Sequence, residues 1–381
     1  MPVRVHVVDP SAFTPPYDHA LCSALGAAGA EVELYTSRFA HGALPAANAY
    51  RRRESFYRRA ARVRDPRIRR GVKLLEHVPD MLRYRRAAEQ ADVVHFQWLT
   101  VQHIDGHLLP RGGRPLVLSA HDILPREPRP GQRRAQRRLY ERFDAVVVHS
   151  ERGRERLVGE LGVEAARVHV IPHGALTHLA EVAPAGSLPA AAGTPVELPP
   201  AADGRPIVLF FGLMRPYKGI DLLLEAWRGV RDAELWIVGM PRMDIAPLTA
   251  AAPAGVRFVP RFVSDAELAA HFARADLVVL PYREIDQSGV LFTALAFGKP
   301  LLLSDVGGFP EVADTGAART FPAGDAGALQ RELSALTGDR AALARMAHAA
   351  LEAATGPYSW EAIARRTLAL YEQLRVEAGA R

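Results

Sequence analysis

One cysteine, Cys22, stands in a chain of 381 residues. That excludes an intrachain disulfide framework and a thiolate metal cluster. No apolar run approaches the roughly eighteen residues that a membrane-spanning helix needs. There is no internal repeat and no sustained heptad pattern, so solenoids and coiled coils are excluded. No Asp-x-Asp pair follows an expected strand, and no bound metal or other cofactor is expected. The first residues, MPVRVHVVDPSAF, lack the apolar core of a secretion signal and read at once as a strand. The expected location is therefore cytoplasmic, or peripheral at the cytosolic face of a membrane.

What is present is ordinary in amount and uneven in placement. Hydrophobic residues make up 49% and charged ones 24%, the balance of a globular chain, and the length suits two domains. Residues 1–180 hold 29 Lys+Arg against 19 Asp+Glu, whereas the remainder holds 19 against 23. A balance of +10 beside one of −4 points to an anionic partner for the first part. Much of the excess lies between Arg51 and Lys73, where arginines recur at nearly every second position. This segment reads as a solvated helix or loop, or as a contact with anionic membrane. No nucleic-acid module surrounds it, so nucleic acid is not an expected partner.

Taken in order, 3–8 is a strand, 10–18 a loop and 17–28 a helix, the start of a nucleotide-fold unit. The loop FTPPYD either shapes the turn alone or offers Phe13, Tyr17 and Asp18 to an acceptor. Residues 36–90 read as the least regular part. Strands at 92–97 and 115–120 end in His95-Phe96-Gln97-Trp98 and His121-Asp122, at the same sheet edge as the first loop. His95 and Trp98 are weaker acceptor-side candidates, since Trp98 also suits a core. Ser150 is an expected cap for a helix over 151–161. Residues 181–205, rich in Pro, Ala and Gly, read as a linker between a domain over 1–180 and one over 206–356.

The second domain opens with a strand at 207–211 and the turn GLMRPYKG. Gly212 gives room after the strand, Arg215 offers a planar fork to phosphate oxygens, and Lys218 offers a compact charge. Residues 239–241 read as a lip for a nucleobase. The stretch that organises the chain is DLVVLPYREIDQSGVLFTALAFGKPLLLSDVGGFPE, residues 276–311. It reads as a buried strand, a polar loop, a helix from Gly289, a second strand and a Gly-Gly turn. Ser288 is the expected N-cap, and Gly289 lets an anion approach the free amides of the helix start.

QSGVLFTALAFGKPLLLSDVGGFPE resembles the donor-sugar segment of glycosyltransferase family 4, retaining enzymes of the GT-B fold. FFGLMRPYKG is similar to that family's diphosphate-binding segment, SAHDILP to its segment carrying a sugar-facing histidine, and AVVVHSERGRERLV to its route out of the first domain. The family usually shows two glutamates seven residues apart across the loop and helix. Ile285 and Thr293 occupy those places here, and the resemblance is to a subgroup reading QSGV instead. It implies an α/β fold of two Rossmann-like domains facing across a cleft, with residues 357–381 crossing back to the first. It implies His121, Arg215 and Lys218 as the catalytic set. Donor contacts would come from Gly212, Glu284, Asp286, Gln287, Ser288, Gly289, Val290 and Thr293, and from Phe262 and Val263 at the base.

The expected reaction moves a sugar from a nucleotide diphosphate sugar, UDP being the family's commonest carrier, to a hydroxyl of a glycan, lipid-linked or small-molecule acceptor. The nucleotide sugar is a co-substrate. A phosphorylase or epimerase on the same architecture, or a binding protein without turnover, stays open at this point.

Overall fold

The computed structural model describes residues 2–39, 46–124, 131–181, 198–199 and 204–380. The chain divides into unit 1, Met1–Gly174 with Trp360–Arg381, and unit 2, Ala175–Ser359.

Unit 1 is built on seven strands: β1 (Arg4–Asp9), β2 (Glu31–Ser37), β3 (Arg51–Phe56), β4 (Val93–Phe96), β5 (Leu116–Ser119), β6 (Ala145–Val148) and β7 (Val168–Val170). They pair in the order β3-β2-β1-β4-β5-β6-β7, every pair parallel. The central strands are short apolar runs with every residue buried, as a sheet covered on both faces requires. Sequence order reverses between β1 and β4. The loops leaving those two strands therefore diverge and open a crevice at their C-terminal ends.

Unit 2 repeats the plan with β8 (Ile207–Phe211), β9 (Glu234–Val238), β10 (Val256–Val259), β11 (Leu277–Leu280), β12 (Leu301–Ser304) and β13 (Ala318–Phe321). The order β10-β9-β8-β11-β12-β13 is again all parallel, with its reversal between β8 and β11. The turn after β8 and the loop after β11 are the two segments that the sequence marks for phosphate. Topology makes them neighbours.

The arginine-rich region departs from its sequence reading. Residues 51–56 form an edge strand rather than loop or helix, with Arg53 and Arg51 facing Glu33 at 3.0 and 3.7 Å and Phe56 buried. Charge on an edge strand blocks pairing with other chains, so its composition resembles that of a solvated loop. Residues 66–87 then form a 22-residue helix. Asp65 caps it by accepting from the Arg67 and Ile68 amides at 2.8 and 2.9 Å, and Pro66 occupies the first turn. Its inner face is narrow and mixed (His77, Asp80, Met81, Tyr84), which hides the helical period from a hydrophobicity count.

The division between units falls at Gly174, ahead of residues 181–205, most of which lie outside the described residues. Ala175 and Leu176 already belong to unit 2, their amides donating to Tyr358 O at 2.8 Å and Phe292 O at 3.3 Å. The helix expected over 151–161 starts on its Ser150 cap, which accepts from the Gly153 amide at 3.0 Å, and widens to a π turn over Arg156–Glu160. The final helix, Trp360–Gly379, is part of unit 1. It buries Ile363, Thr367, Leu370, Tyr371 and Leu374.

Candidate functional site

In unit 2, the turn after β8 is held from two sides. Met214 N donates to Met240 O and Arg242 N to Met214 O, both at 3.0 Å, which zips it to the loop after β9. On the other side, Arg283 donates to Pro216 O at 2.9 Å and to both carboxylate oxygens of Asp221 at 2.9 and 2.7 Å. Arg283 N also donates to Tyr217 O at 2.7 Å. Sequence reasoning missed this strap, because an arginine–aspartate contact across 62 residues leaves no local pattern.

Lys218 and the start of the helix Gly289–Ala296 converge on Gly212. Gly212 has φ +112, and a Cβ placed there would lie 2.8 Å from Lys218 Nζ and 3.3 Å from Val290 Cγ2. Lys218 is buried, with its ammonium 4.9 Å from the Tyr282 ring centroid. A cation over an aromatic face is attracted by the ring's quadrupole, more strongly where water is excluded. Arg215 is exposed on the same turn.

Ser288 has the extended backbone of a cap residue, yet its side chain accepts no capping hydrogen bond. That corrects the sequence reading. Its own amide is taken by Gln287 Oε1 at 3.0 Å, and the serine is buried. The first-turn amides of the helix consequently have no side-chain cap, and open space surrounds Gly289. Such an end attracts anions through unpaired N–H groups and the helix dipole. Thr293 is buried, its hydroxyl donating to Gly289 O at 2.9 Å and so spent within its own helix. Glu284 is exposed, while Asp286 and Gln287 are half-buried. Phe262 is 57% exposed beyond β10, whereas the Val263 side chain is buried.

Glycine is required where these loops touch. Gly239 has φ +143, and a Cβ there would stand 2.0 Å from Gly212 O. Gly239→Ala is expected to destabilise unit 2 by about 2 kcal/mol or more and to displace the Gly212 turn. Urea unfolding of the variant measures it; an unchanged midpoint would show that the loops separate freely.

Unit 1 gathers most of its candidates into one aromatic cluster. Tyr17 is buried, with ring centroids at 4.8 Å to His121, 4.8 Å to His173, 5.6 Å to His149 and 5.2 Å to Trp360. His149 Nδ1 lies 3.0 Å from Ile171 O, which can only accept, so the ring carries its proton there. His149 Nε2 is then an acceptor for the Nδ1–H of His121 at 3.1 Å. The remaining His121 nitrogen lies 3.1 Å from the Gln97 carboxamide. The atom placed there is Gln97 Oε1, and exchanging the carboxamide's oxygen and nitrogen would give a neutral ring its donor and pair the buried Gln97 Nε2. Both ring nitrogens of His121 are thus engaged within unit 1. Burial and the neighbouring histidines hold its pKa well below the ordinary value.

The acceptor-side candidates separate by depth. Phe13 is 54% exposed and leads, at 5.3 Å between centroids, to the half-buried Trp98, which stacks on His121 at 5.1 Å. These three rings form the rim. Asp18 lies beneath it, fully buried against Asp9, and its carboxyl is pushed well up by burial and by Asp9's charge. Asp9 in turn accepts from the amides of Ser11, Phe13 and Thr14 at 3.2, 2.5 and 3.2 Å, so the pair shapes the loop. The VVD ending of the first strand was its only sequence signal. His95 is buried between Tyr371 OH at 2.6 Å and Ser119 Oγ at 2.9 Å, tying the final helix to the sheet.

Two doubly wound parallel sheets, each with its site at the strand-order reversal, are the units of the GT-B fold. The family model described as "Glycosyltransferase Family 4" matches residues 17–178, and "Glycosyl transferases group 1" matches 205–339. The chain belongs to the family 4 glycosyltransferases.

Among curated relatives, a D-inositol 3-phosphate glycosyltransferase of Nocardia farcinica is 30% identical over 307 residues, 74% of this chain and 66% of that one. A GDP-mannose:glycolipid 4-beta-D-mannosyltransferase of Xanthomonas campestris pv. campestris is 37% identical over 101 residues. This match covers 25% of this chain and 29% of the relative. Among solved structures, sucrose-phosphate synthase from Thermosynechococcus elongatus superposes with TM-score 0.73 at 20% identity, covering 98% of this chain and all of that one. Anabaena Alr3699/HepE in complex with UDP gives 0.69 at 16% identity, covering 98% and 100%.

Proposed function

We propose that the protein transfers a sugar from a nucleotide diphosphate sugar to a hydroxyl acceptor, with retention of anomeric configuration and without a metal ion. The observation that carries this reading is the meeting of Lys218 Nζ and the uncapped helix start at Gly212. As the glycosidic bond breaks, negative charge grows on the departing diphosphate. A buried ammonium, the Arg215 guanidinium and the helix-start amides stabilise that charge more than they stabilise bound donor. Glu284, Asp286 and Gln287 take the sugar hydroxyls, and Phe262 packs on the base. Neither Ile285 nor Thr293 can act as a carboxylate nucleophile, which suits front-face transfer in which the leaving phosphate accepts the acceptor's proton. His121 reaches the donor sugar by giving up its Gln97 contact, and the Phe13–Trp98 rim receives the acceptor.

A relative named for GDP-mannose and a neighbour solved with UDP support a nucleotide diphosphate as the ligand. Calorimetric titration is expected to show binding of UDP, with GDP as the rival base, and donor turnover by mass spectrometry should require an acceptor. Turnover without acceptor would favour an epimerase, and tight binding without turnover a non-catalytic protein. The mannosyltransferase relatives are named for a β-linked product. Nuclear magnetic resonance of the product anomer therefore decides between retention and inversion.

A further inference from the structure

Five of the eleven exposed large apolar side chains among the described residues lie on the helix Pro66–Ala87: Ile68, Leu74, Leu75, Val78 and Leu82. Ile68, Leu75 and Leu82 recur every seven residues, and Leu74 and Val78 sit beside them, so all five fall on one outward stripe. Leu75 is 79% exposed and Ile68 61%. Exposed leucines scattered singly need no explanation, but a stripe along about 21 Å of helix does.

The charges on the same helix identify the occupant. It holds seven basic residues against two acidic ones, and both acids are spent inward. Glu76 accepts from the Arg59 and Ala60 amides at 2.9 and 2.8 Å. Asp80 is buried, accepting from the Tyr57 amide at 2.7 Å and pairing with Arg83. His77 is likewise turned inward, between Tyr57 OH at 2.7 Å and Asp105 at 2.5 Å. The outward face keeps the apolar stripe and the exposed Arg67 and Arg86, with no carboxylate of the helix among them, and Arg69 and Arg70 are exposed at its first turns.

We propose that this face docks on an anionic phospholipid surface, the helix lying in the interface plane with its apolar stripe at the acyl boundary and its arginines among the phosphates. A second copy of the chain is a poor occupant, because a twofold contact would set these arginines against one another. RNA would satisfy the arginines and leave the leucines in water. No helix among the described residues is long and apolar enough to cross a membrane, so the attachment is peripheral. The docking stands apart from the transferase reading. One consequence does rest on that reading. Lys73, on the inward side of this helix, lies 4.7 Å from the Tyr57 ring and 5.7 Å from the Phe13 ring, so a docked helix holds the acceptor rim one helix diameter, roughly 10 Å, from the lipid and favours a lipid-linked acceptor.

The test is cosedimentation of the full chain with vesicles of phosphatidylcholine, with and without phosphatidylglycerol. The wild type is expected to partition at least about tenfold more strongly onto the anionic vesicles at low salt, and to lose most of that preference near 0.5 M salt. Ile68→Ser with Leu75→Ser is expected to lower partitioning about tenfold at low salt. Arg67→Gln with Arg86→Gln should reduce the lipid preference and leave residual apolar binding. Circular dichroism checks that both variants stay folded, as exposed positions should. Equal binding to both vesicle types, or wild-type partitioning by the serine variant, overturns the proposal. An RNA oligomer bound with vesicles ignored overturns it too.

Discussion

Lys218→Met is expected to lower kcat/KM for sugar transfer by two to three orders of magnitude while leaving the fold intact. Methionine keeps most of the buried aliphatic stem and removes only the charge. The ammonium lies over Gly212, beside the first turn of the Gly289 helix and the Tyr282 ring. Diphosphate bound there would meet it away from bulk water, where a fixed cation stabilises developing charge far more than in solution. Removing one such group commonly costs roughly 3–4 kcal/mol of barrier. The exposed Arg215 should matter less, because solvent screens it and side-chain freedom weakens its hold. A loss confined to KM would mean that Lys218 binds ground and transition states equally. Full activity in the methionine variant would remove the diphosphate assignment altogether.

Acidification from pH 7.5 to 4.5 is expected to unfold unit 1, the loss of stability beginning near pH 6.5, above the ordinary carboxylate range. Burial is the largest cause of a lowered pKa at each of four neighbouring histidines: His95 and His173 to about 3, His149 to about 4, and His121 well below its ordinary value. The unfolded chain binds these protons near pH 6.5 and the folded one does not. The stabilising contribution is therefore complete above pH 6.5 and is lost as pH falls towards the folded values. Asp9, Asp18 and Asp80 act with the opposite sign, set against His6, His19 and His169, whose pKa values burial also lowers. Asp18, raised by burial and by Asp9, keeps a proton when folded and stabilises the fold as pH falls. That offsets about one histidine. Even two net protons give about 3 kcal/mol per pH unit, so two units reach the roughly 5–15 kcal/mol that holds a domain together. Melting temperature followed by circular dichroism should drop steeply below pH 6.5. A flat profile to pH 5 would mean that the cluster takes up protons without leaving its cage.

The contrast between Lys218 and His95 shows where reading a sequence succeeds. Lys218 sits on a strand–glycine–turn whose chemistry is local, and the spacing from Gly212 already brings both to one loop. His95 also lies near the C-terminal end of a strand, in the sheet of unit 1, and from sequence looks equally available. Its hydroxyl partner Tyr371 lies 276 residues away, so the tie to the final helix is invisible in any window of the chain. Asp18 differs from its reading for the same reason: only the fold sets its carboxyl against Asp9 and removes both from water.

By itself, the sequence determined the alternation of buried strands with helices, the all-parallel class that follows, and the glycine-marked loops around Gly212 and Gly289. Those features depend on residue type, period and spacing within a few tens of residues. Tertiary structure alone decided which loops became neighbours, through the reversal of strand order between β1 and β4 and between β8 and β11. It also decided that the arginine-rich stretch is an edge strand followed by a helix with its leucines outward. Burial and long-range pairing set each side chain's surroundings, and neither is encoded by the residues adjacent in the chain.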